Sequence, residues 1–276
     1  MEIKQASSTV QTVCGESESM SALNYGDLVL LIDSKDRRYL ITLKPTEEFH
    51  THSGYLKHSD LVGSEEGRYV KLSSGKMYLV VRPTMSDVIL KMPRAAQIIY
   101  PKDIGHILLA ADIYPGVKVL ESGIGSGALS MAMLRAGAKI TGYELRQDFA
   151  NRAEKNVVNF FGEEILGSYE IFIRDIYEGI DGHSFERVVL DLPEPWRAVP
   201  HLPDAMLSGG ILVAYTPSIT QAMRLRDSLN TATFVMEETF EVSRRSWYLE
   251  GQAVRPEHRM VGHTGFITQA RFVGEA

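Results

Sequence analysis

The sequence has little cysteine, no long apolar run and no excess of positive charge, and each shortage removes a class of protein. Its one cysteine, Cys14, lies in a polar leader and has no partner for an internal disulfide, so the chain is not a disulfide scaffold. No apolar run approaches the roughly 20 residues that span a bilayer, and the start of the chain lacks a basic stretch followed by an apolar core. A cytoplasmic protein with no membrane partner is therefore expected. The net charge of −6 argues against indiscriminate nucleic-acid binding. Phosphate contact depends on local patches rather than on the total, and two basic groups are candidates: Arg82, Lys91, Arg94 and Lys102, then Arg244, Arg245, Arg255 and Arg259. Charge alone leaves each of them equally well explained as a solvated face.

What is present is ordinary globular composition, 44% hydrophobic and 23% charged over 276 residues, enough for a full core and a second, smaller domain. The most informative stretch is VKVLESGIGSG at 117–127, a β-branched run that breaks into a glycine-rich turn and opens onto the helical ALSMAMLRAG. The glycines leave no Cβ atoms on the turn, so a ligand can lie against its N–H groups. The third glycine comes one residue earlier than in the dinucleotide fingerprint G-x-G-x-x-G. A second strand, AKITGY, then ends in Glu144, whose carboxylate is placed to accept both hydroxyl protons of a ribose. This shorter pattern fits S-adenosylmethionine better than a nicotinamide or flavin cofactor, with a tight turn that holds no ligand as the remaining alternative.

Taken in order, residues 1–20 are polar and serine-rich and read as a loosely held tail. Short strands separated by turn clusters at 34–36 and 73–75 make 21–82 a small all-β domain, expected to be barrel-like. His50, His52 and His58 fall in this part; without further ligands of suitable geometry they read as loop or core histidines rather than a metal site. Residues 83–276 form the larger domain. Its leading part, 83–116, reads as a helix starting at Ser86 and Asp87, an exposed IIYPKD loop carrying Tyr100, and a second helix closed by Pro115 and Gly116. Strands then alternate with helices, including a helix around AVPHLPDAML, and the last two strands, FVMEETFEVSR and TGFITQARF, lack a helix between them and should pair antiparallel. The expected fold is α/β, a Rossmann-like seven-stranded sheet.

Ligands of such sheets sit at the carboxyl ends of the strands, where three acids fall: Glu144, Asp175 and Asp191. Asp175 is placed to accept from an adenine amino group. Asp191 opens DLPEPW, a sequence costly to keep after a buried strand unless it builds a defined surface; a helix cap or turn acid is the alternative.

Four separated segments together resemble the tRNA (adenine-N1)-methyltransferases that act on position 58 of the T-loop: HTHSGYLKHSDLVG at 50–63, QIIYPKD at 97–103, ESGIGSGALS at 121–130 and LDLPEPW at 190–196, with AYTPSITQ and GHTGFI near the end. The glycine loop is generic to methyltransferases; the other motifs are much more specific. Ile124 stands where a threonine is frequent in that family, and PRAAQ where a more basic run is usual, which bears on a phosphate contact. The resemblance implies a class I S-adenosylmethionine-dependent methyltransferase. Gly123, Ile124, Gly125, Ser126, Gly127 and Glu144 would hold the methionine and ribose parts of S-adenosyl-L-methionine, with Phe149 beside it, Asp175 and Ile176 at its adenine and Asp191 also in contact. Asp191 would be the principal catalytic residue and Tyr100 would hold the target adenine. Position 57 is a possible second target, tRNA the substrate, and a homotetramer the implied assembly. The rivals are a methyltransferase for another acceptor, such as a protein carboxyl group or a small molecule, and a non-catalytic tRNA-binding subunit.

Overall fold

The computed structural model describes residues 22–94, 97–182, 184–230 and 233–274. The expected tail at 1–20, Cys14 and the two alanines of PRAAQ lie outside the described residues. The chain divides after Pro83 into two compact units.

Six strands build the first unit: β1 (Leu28–Asp33), β2 (Arg38–Thr42), β3 (Glu48–Thr51), β4 (Gly54–Lys57), β5 (Arg68–Lys71) and β6 (Met77–Val81). All pair antiparallel, as a four-stranded sheet in the order β2-β1-β6-β5 and a separate β3-β4 hairpin. The β1-β2 turn is set by Asp33, whose Oδ1 accepts from the amides of Lys35 and Arg37 at 2.9 and 3.0 Å, a local bond that competes with further strand. Phe49 and Leu56 of the hairpin share a core with Leu31, Tyr78 and Val80 of the sheet. Within it the rings of Tyr39 and Phe49 meet edge-on with centroids 5.3 Å apart. The three histidines diverge. His58 is buried and its Nδ1 accepts the Lys44 amide at 3.1 Å, whereas His50 faces Glu48 and Tyr55, and His52 faces Arg37. Burial pushes the His58 imidazole below the ordinary histidine range.

The second unit runs α1 (Met85–Lys91), α2 (Pro101–Ala110), β7 (Lys118–Ser122), α3 (Ala128–Arg135), β8 (Lys139–Glu144), α4 (Gln147–Phe161), β9 (Tyr169–Ile173), β10 (Phe185–Asp191), β11 (Met206–Thr216), α5 (Ile219–Leu229), β12 (Phe234–Glu241), β13 (Trp247–Glu250), β14 (Ala253–Pro256) and β15 (Phe266–Phe272). Its sheet has seven strands in the order β12-β15-β11-β10-β7-β8-β9. The five from β9 to β11 are parallel, and β15 is antiparallel to both β11 and β12, as the missing helix between the closing strands predicts. The central strands are buried on both faces, so β10 reads as the unbroken run Val188, Val189 and Leu190, all at most 1% exposed.

Three local expectations are corrected. The segment AVPHLPDAML holds no α-helix; a short 3₁₀ turn spans Val199–His201 instead, just after another at Pro195–Arg197, because Pro200 and Pro203 remove amide donors that a helix needs. IIYPKD is not simply an exposed loop: Tyr100 caps α2, Pro101 takes the first helical position and Asp103 lies in the first turn at 0% exposure. Helix α1 is capped by Thr84, two residues before the expected start, through a reciprocal box with Asp87. The β13-β14 hairpin between the closing strands had no expectation at all.

Candidate active site

Parallel strands deliver their carboxyl ends to one edge of the sheet, and the loops that follow β7, β8, β9 and β10 enclose a cavity of about 590 Å³ there. Gly123, Gly125, Glu144, Phe149, Asp175, Ile176 and Asp191 all line it. Three of these strand ends bring together acids that are up to 47 residues apart in the chain, Glu144 and Asp191 being the extremes.

The glycine loop turns with φ of 85°, 58° and 79° at Gly123, Gly125 and Gly127, all left-handed. Gly123 is required twice over, since a Cβ there would also overlap the Asp191 carbonyl oxygen. Ile124, Ser126 and Gly127 do not line the cavity. Ile124 is buried against Gly142, Gly127 caps α3, and Ser126 is buried while its carbonyl accepts from Asn156 at 3.0 Å. The Ser126 hydroxyl has no hydrogen-bond partner among the described residues.

The three acids differ in how much of their hydrogen-bonding capacity is used. Each oxygen of Glu144 accepts one amide, from Gly125 at 3.1 Å and Arg146 at 3.0 Å, which leaves a further acceptor direction on each. Asp175 accepts the Tyr177 amide on Oδ1 at 2.9 Å. The Asp191 carboxyl makes no hydrogen bond or ion pair among the described residues, and its enclosure by protein pushes it up to about 7. The Phe149 ring is covered on one face by the Arg146 guanidinium, 3.8 Å from its centroid.

The DLPEPW turn is tied down on both sides. Gln221 of α5 donates to the Pro193 carbonyl at 2.9 Å, Ser228 donates to the Trp196 carbonyl, and the Trp196 ring lies under Arg224. From the other side the Glu194 amide donates to the Tyr177 hydroxyl, and Arg197 stacks over the same ring at 4.2 Å. Such a turn keeps the backbone next to Asp191 in one place.

Sequence reasoning passed over Glu121, Asp103, Thr264 and Tyr215, and offered Lys102 only as a candidate phosphate contact. Glu121, in the middle of β7, is 2% exposed, accepts from the Ser130 hydroxyl at 2.6 Å, and is pushed up to about 8 by burial and, secondarily, by the charges of Asp191 and Glu144. Lys102 donates to Asp103 at 2.7 Å, to Thr264 Oγ1 at 2.6 Å and to the Val242 carbonyl at 2.7 Å, while Thr264 donates to Asp103 at 2.7 Å. Tyr215, paired with Asp191 across β10 and β11, packs its ring against Gly265, next to Thr264; burial raises its hydroxyl to about 12. Tyr100 itself does not line the first cavity. It faces a second one, of about 380 Å³, with Lys102, Arg244 and Arg259.

Comparison with known proteins decides the lineage. The family model described as tRNA methyltransferase complex GCD14 subunit matches residues 76–255, and a TrmI-like N-terminal model matches 22–70. The chain belongs to this tRNA methyltransferase family. It is 35% identical over 268 residues to the tRNA (adenine(57)-N(1)/adenine(58)-N(1))-methyltransferase TrmI of Methanocaldococcus jannaschii, covering 88% of this chain and 94% of the relative. It is 34% identical over 247 residues to the tRNA (adenine(58)-N(1))-methyltransferase TrmI of Thermus thermophilus, covering 88% and 96%. Among solved structures, a SAM-dependent O-methyltransferase of Thermotoga maritima superposes with a TM-score of 0.87 at 30% identity, covering 93% of this chain and 96% of that one. The tRNA (m1A58) methyltransferase TrmI of Aquifex aeolicus superposes at 0.79 with 25% identity, covering 92% and 100%. The seven-stranded unit is thus the class I methyltransferase fold expected from the sequence.

Proposed function

We propose that this chain transfers a methyl group from S-adenosyl-L-methionine to N1 of adenine at position 58 of the tRNA T-loop, alone or together with position 57. The observation that carries the reading is Asp191: an unpaired carboxyl in the same cavity as the glycine loop and Glu144, in a chain aligned over most of its length with enzymes named for this reaction.

The residues fit the cofactor. The backbone of Gly123 and Gly125 offers a surface without Cβ atoms for the methionine part, the unused directions of Glu144 suit two ribose hydroxyls, and Asp175 Oδ2 suits an adenine amino group. Phe149 and Ile176 supply apolar wall. Bound there, S-adenosylmethionine supplies an electrophilic methyl group on a sulfonium.

Adenine N1 carries a free lone pair, so no proton has to leave before it attacks and no strong base is needed. Alkylation places positive charge on the purine and makes its amino group a better donor. Asp191 as carboxylate would hold the ring by that amino group and stabilise the developing cation. A cation nearby favours the ionised form of a carboxyl otherwise poised at about 7, so the reacting complex itself draws Asp191 into its useful state. N1 lies on the Watson–Crick edge, so the base must leave the folded T-loop to be reached. The first unit would add shape and phosphate contacts to the tRNA.

A second reading, methylation of an oxygen, is raised by the name of the Thermotoga maritima structure. A hydroxyl acceptor loses a proton as it is alkylated, and Asp191 would then act as its base. A non-catalytic subunit is disfavoured by the intact glycine loop, Glu144 and Asp191. Nucleoside analysis of tRNA after reaction separates these: 1-methyladenosine supports the proposal, an O-methylated nucleoside supports the second reading, and no methylated product despite cofactor binding refutes both.

No helix among the described residues is long and apolar enough to cross a membrane, and we place the enzyme in the cytoplasm, where its tRNA is. We infer a homotetramer, as in the resemblance; the hairpin residues Trp247, Leu249 and Val254, 55%, 70% and 66% exposed, offer apolar surface that another copy would cover.

A further inference from the structure

The second cavity is built for one nucleotide of RNA, and we propose that it takes the nucleotide next to the target adenine, with the phosphate held by Arg244 and Arg259. The inference rests on the tRNA reading above and adds a site to it. The cavity lies between the ends of α1 and α2 and the segments that flank the β13-β14 hairpin. Its apolar wall is Tyr100, Leu90, Met260 and Val261, a half-buried ring beside three exposed side chains. A base laid on such a surface gains stacking that does not depend on its identity.

The charge is arranged for a phosphate. Arg244 and Arg259 make no hydrogen bond or ion pair among the described residues, whereas Arg146, Arg174, Arg187, Arg197 and Arg226 in the same unit each pair with a carboxylate. No carboxylate among the described residues lines the cavity. Lys102 also reaches it, but its ammonium already has three acceptors, so it fixes the wall rather than the ligand. Two open guanidinium forks beside an aromatic face match a nucleotide and its phosphate better than an uncharged or cationic group.

Proximity to the first cavity sets which nucleotide it is. Tyr215 pairs with Asp191 across the sheet and packs against Gly265, and the adjoining Thr264 is bonded to Lys102 in the wall of the second cavity. An adenine drawn towards Asp191 therefore leaves its chain neighbour at Tyr100, which takes that neighbour rather than the target base that the resemblance implies for it, as splayed single-stranded RNA allows.

The test uses the full chain and a T-arm RNA in which the phosphates on either side of the target are replaced, one at a time, by neutral methylphosphonates. Arg244→Ala and Arg259→Ala are each expected to raise KM for RNA about tenfold, as removal of a charge-assisted hydrogen bond does, and to leave cofactor affinity unchanged. The salt dependence of RNA binding should fall by about 0.7 in log–log slope for each phosphate no longer neutralised. One neutral linkage should weaken the wild-type enzyme and have no added effect on the Arg244→Ala, Arg259→Ala double variant. Additive effects at every linkage, or unchanged KM in both single variants, would overturn the proposal while leaving the tRNA reading intact. Absence of transfer to RNA by the wild-type chain overturns the tRNA reading and the subsite with it.

Discussion

A side chain on Gly123 would run into the backbone carbonyl oxygen of Asp191, so the cofactor loop and the proposed catalytic turn share one contact surface. Because Gly123 also has a φ of 85°, alanine there is opposed by backbone strain as well as by overlap. Gly123→Ala should therefore displace Asp191 and lower turnover on the order of a hundredfold, the typical cost of a misplacement of about 1 Å. Steady-state kinetics with calorimetric cofactor binding would check it; wild-type turnover would mean that the two loops are not coupled.

Asp191 should carry most of the rate. Asp191→Ala is expected to lose roughly 3 to 4 kcal/mol of transition-state stabilisation, about a hundred- to thousandfold in kcat, while still binding cofactor. Its carboxyl is pushed up to about 7 and acts as carboxylate, so kcat/KM should rise with pH through about 7 and then level off. In Asp191→Asn that rise should vanish along with most of the activity. A pH profile preserved in the variant would assign the titration to another group.

Glu121 should leave its mark on stability rather than on chemistry. Its carboxyl is raised from 4.5 to about 8 in the folded chain, so the fold binds that proton more tightly than the unfolded chain does. The contribution is complete below pH 4.5 and is lost as pH rises towards about 8. Glu121→Gln should remove that part of the decline, on the order of a few kcal/mol across the window, as read from urea denaturation at a series of pH values. An unaltered pH dependence would show that the buried carboxyl is not protonated as described.

Lys102 and Asp103 form a nearly sealed pair, with side chains 10% and 0% exposed. Removing one partner leaves a buried charge, so Lys102→Met alone should cost about 3 to 5 kcal/mol, whereas Lys102→Met with Asp103→Leu should recover much of it. Thermal denaturation of the single and double variants would measure the difference. Equal losses in both would indicate that the pair matters only through packing.

The legible parts of this protein are those whose signal is local. A strand, three glycines and a helix follow one another within 18 residues from Lys118, and Glu144, Asp175 and Asp191 each close a hydrophobic run, so their arrival in one cavity can be read from the alternation. The helix expected around AVPHLPDAML is absent because Pro200 and Pro203 outweigh the apolar spacing that suggests it. The burial of Asp103 could not be read at all: its partner Thr264 is 161 residues away, and YPKD taken alone is as polar as any loop. Glu121 is hidden by its motif, since the adjoining glycines carry the stronger signal and only burial makes that carboxyl unusual. Tyr100 is legible as an aromatic beside a proline, but the cavity it faces depends on Arg244, Arg259 and Met260, which lie far along the chain.

The central claim is that this chain methylates N1 of a T-loop adenine. Its most direct test is incubation of an unmodified tRNA transcript with the enzyme and S-adenosylmethionine, followed by reverse transcription, which halts at a base methylated on its pairing edge. The account predicts a new stop at position 58, alone or with position 57, that disappears when Asp191→Ala replaces the wild-type chain. Read-through of the whole T-loop, with cofactor bound and methyl label incorporated elsewhere, would contradict it.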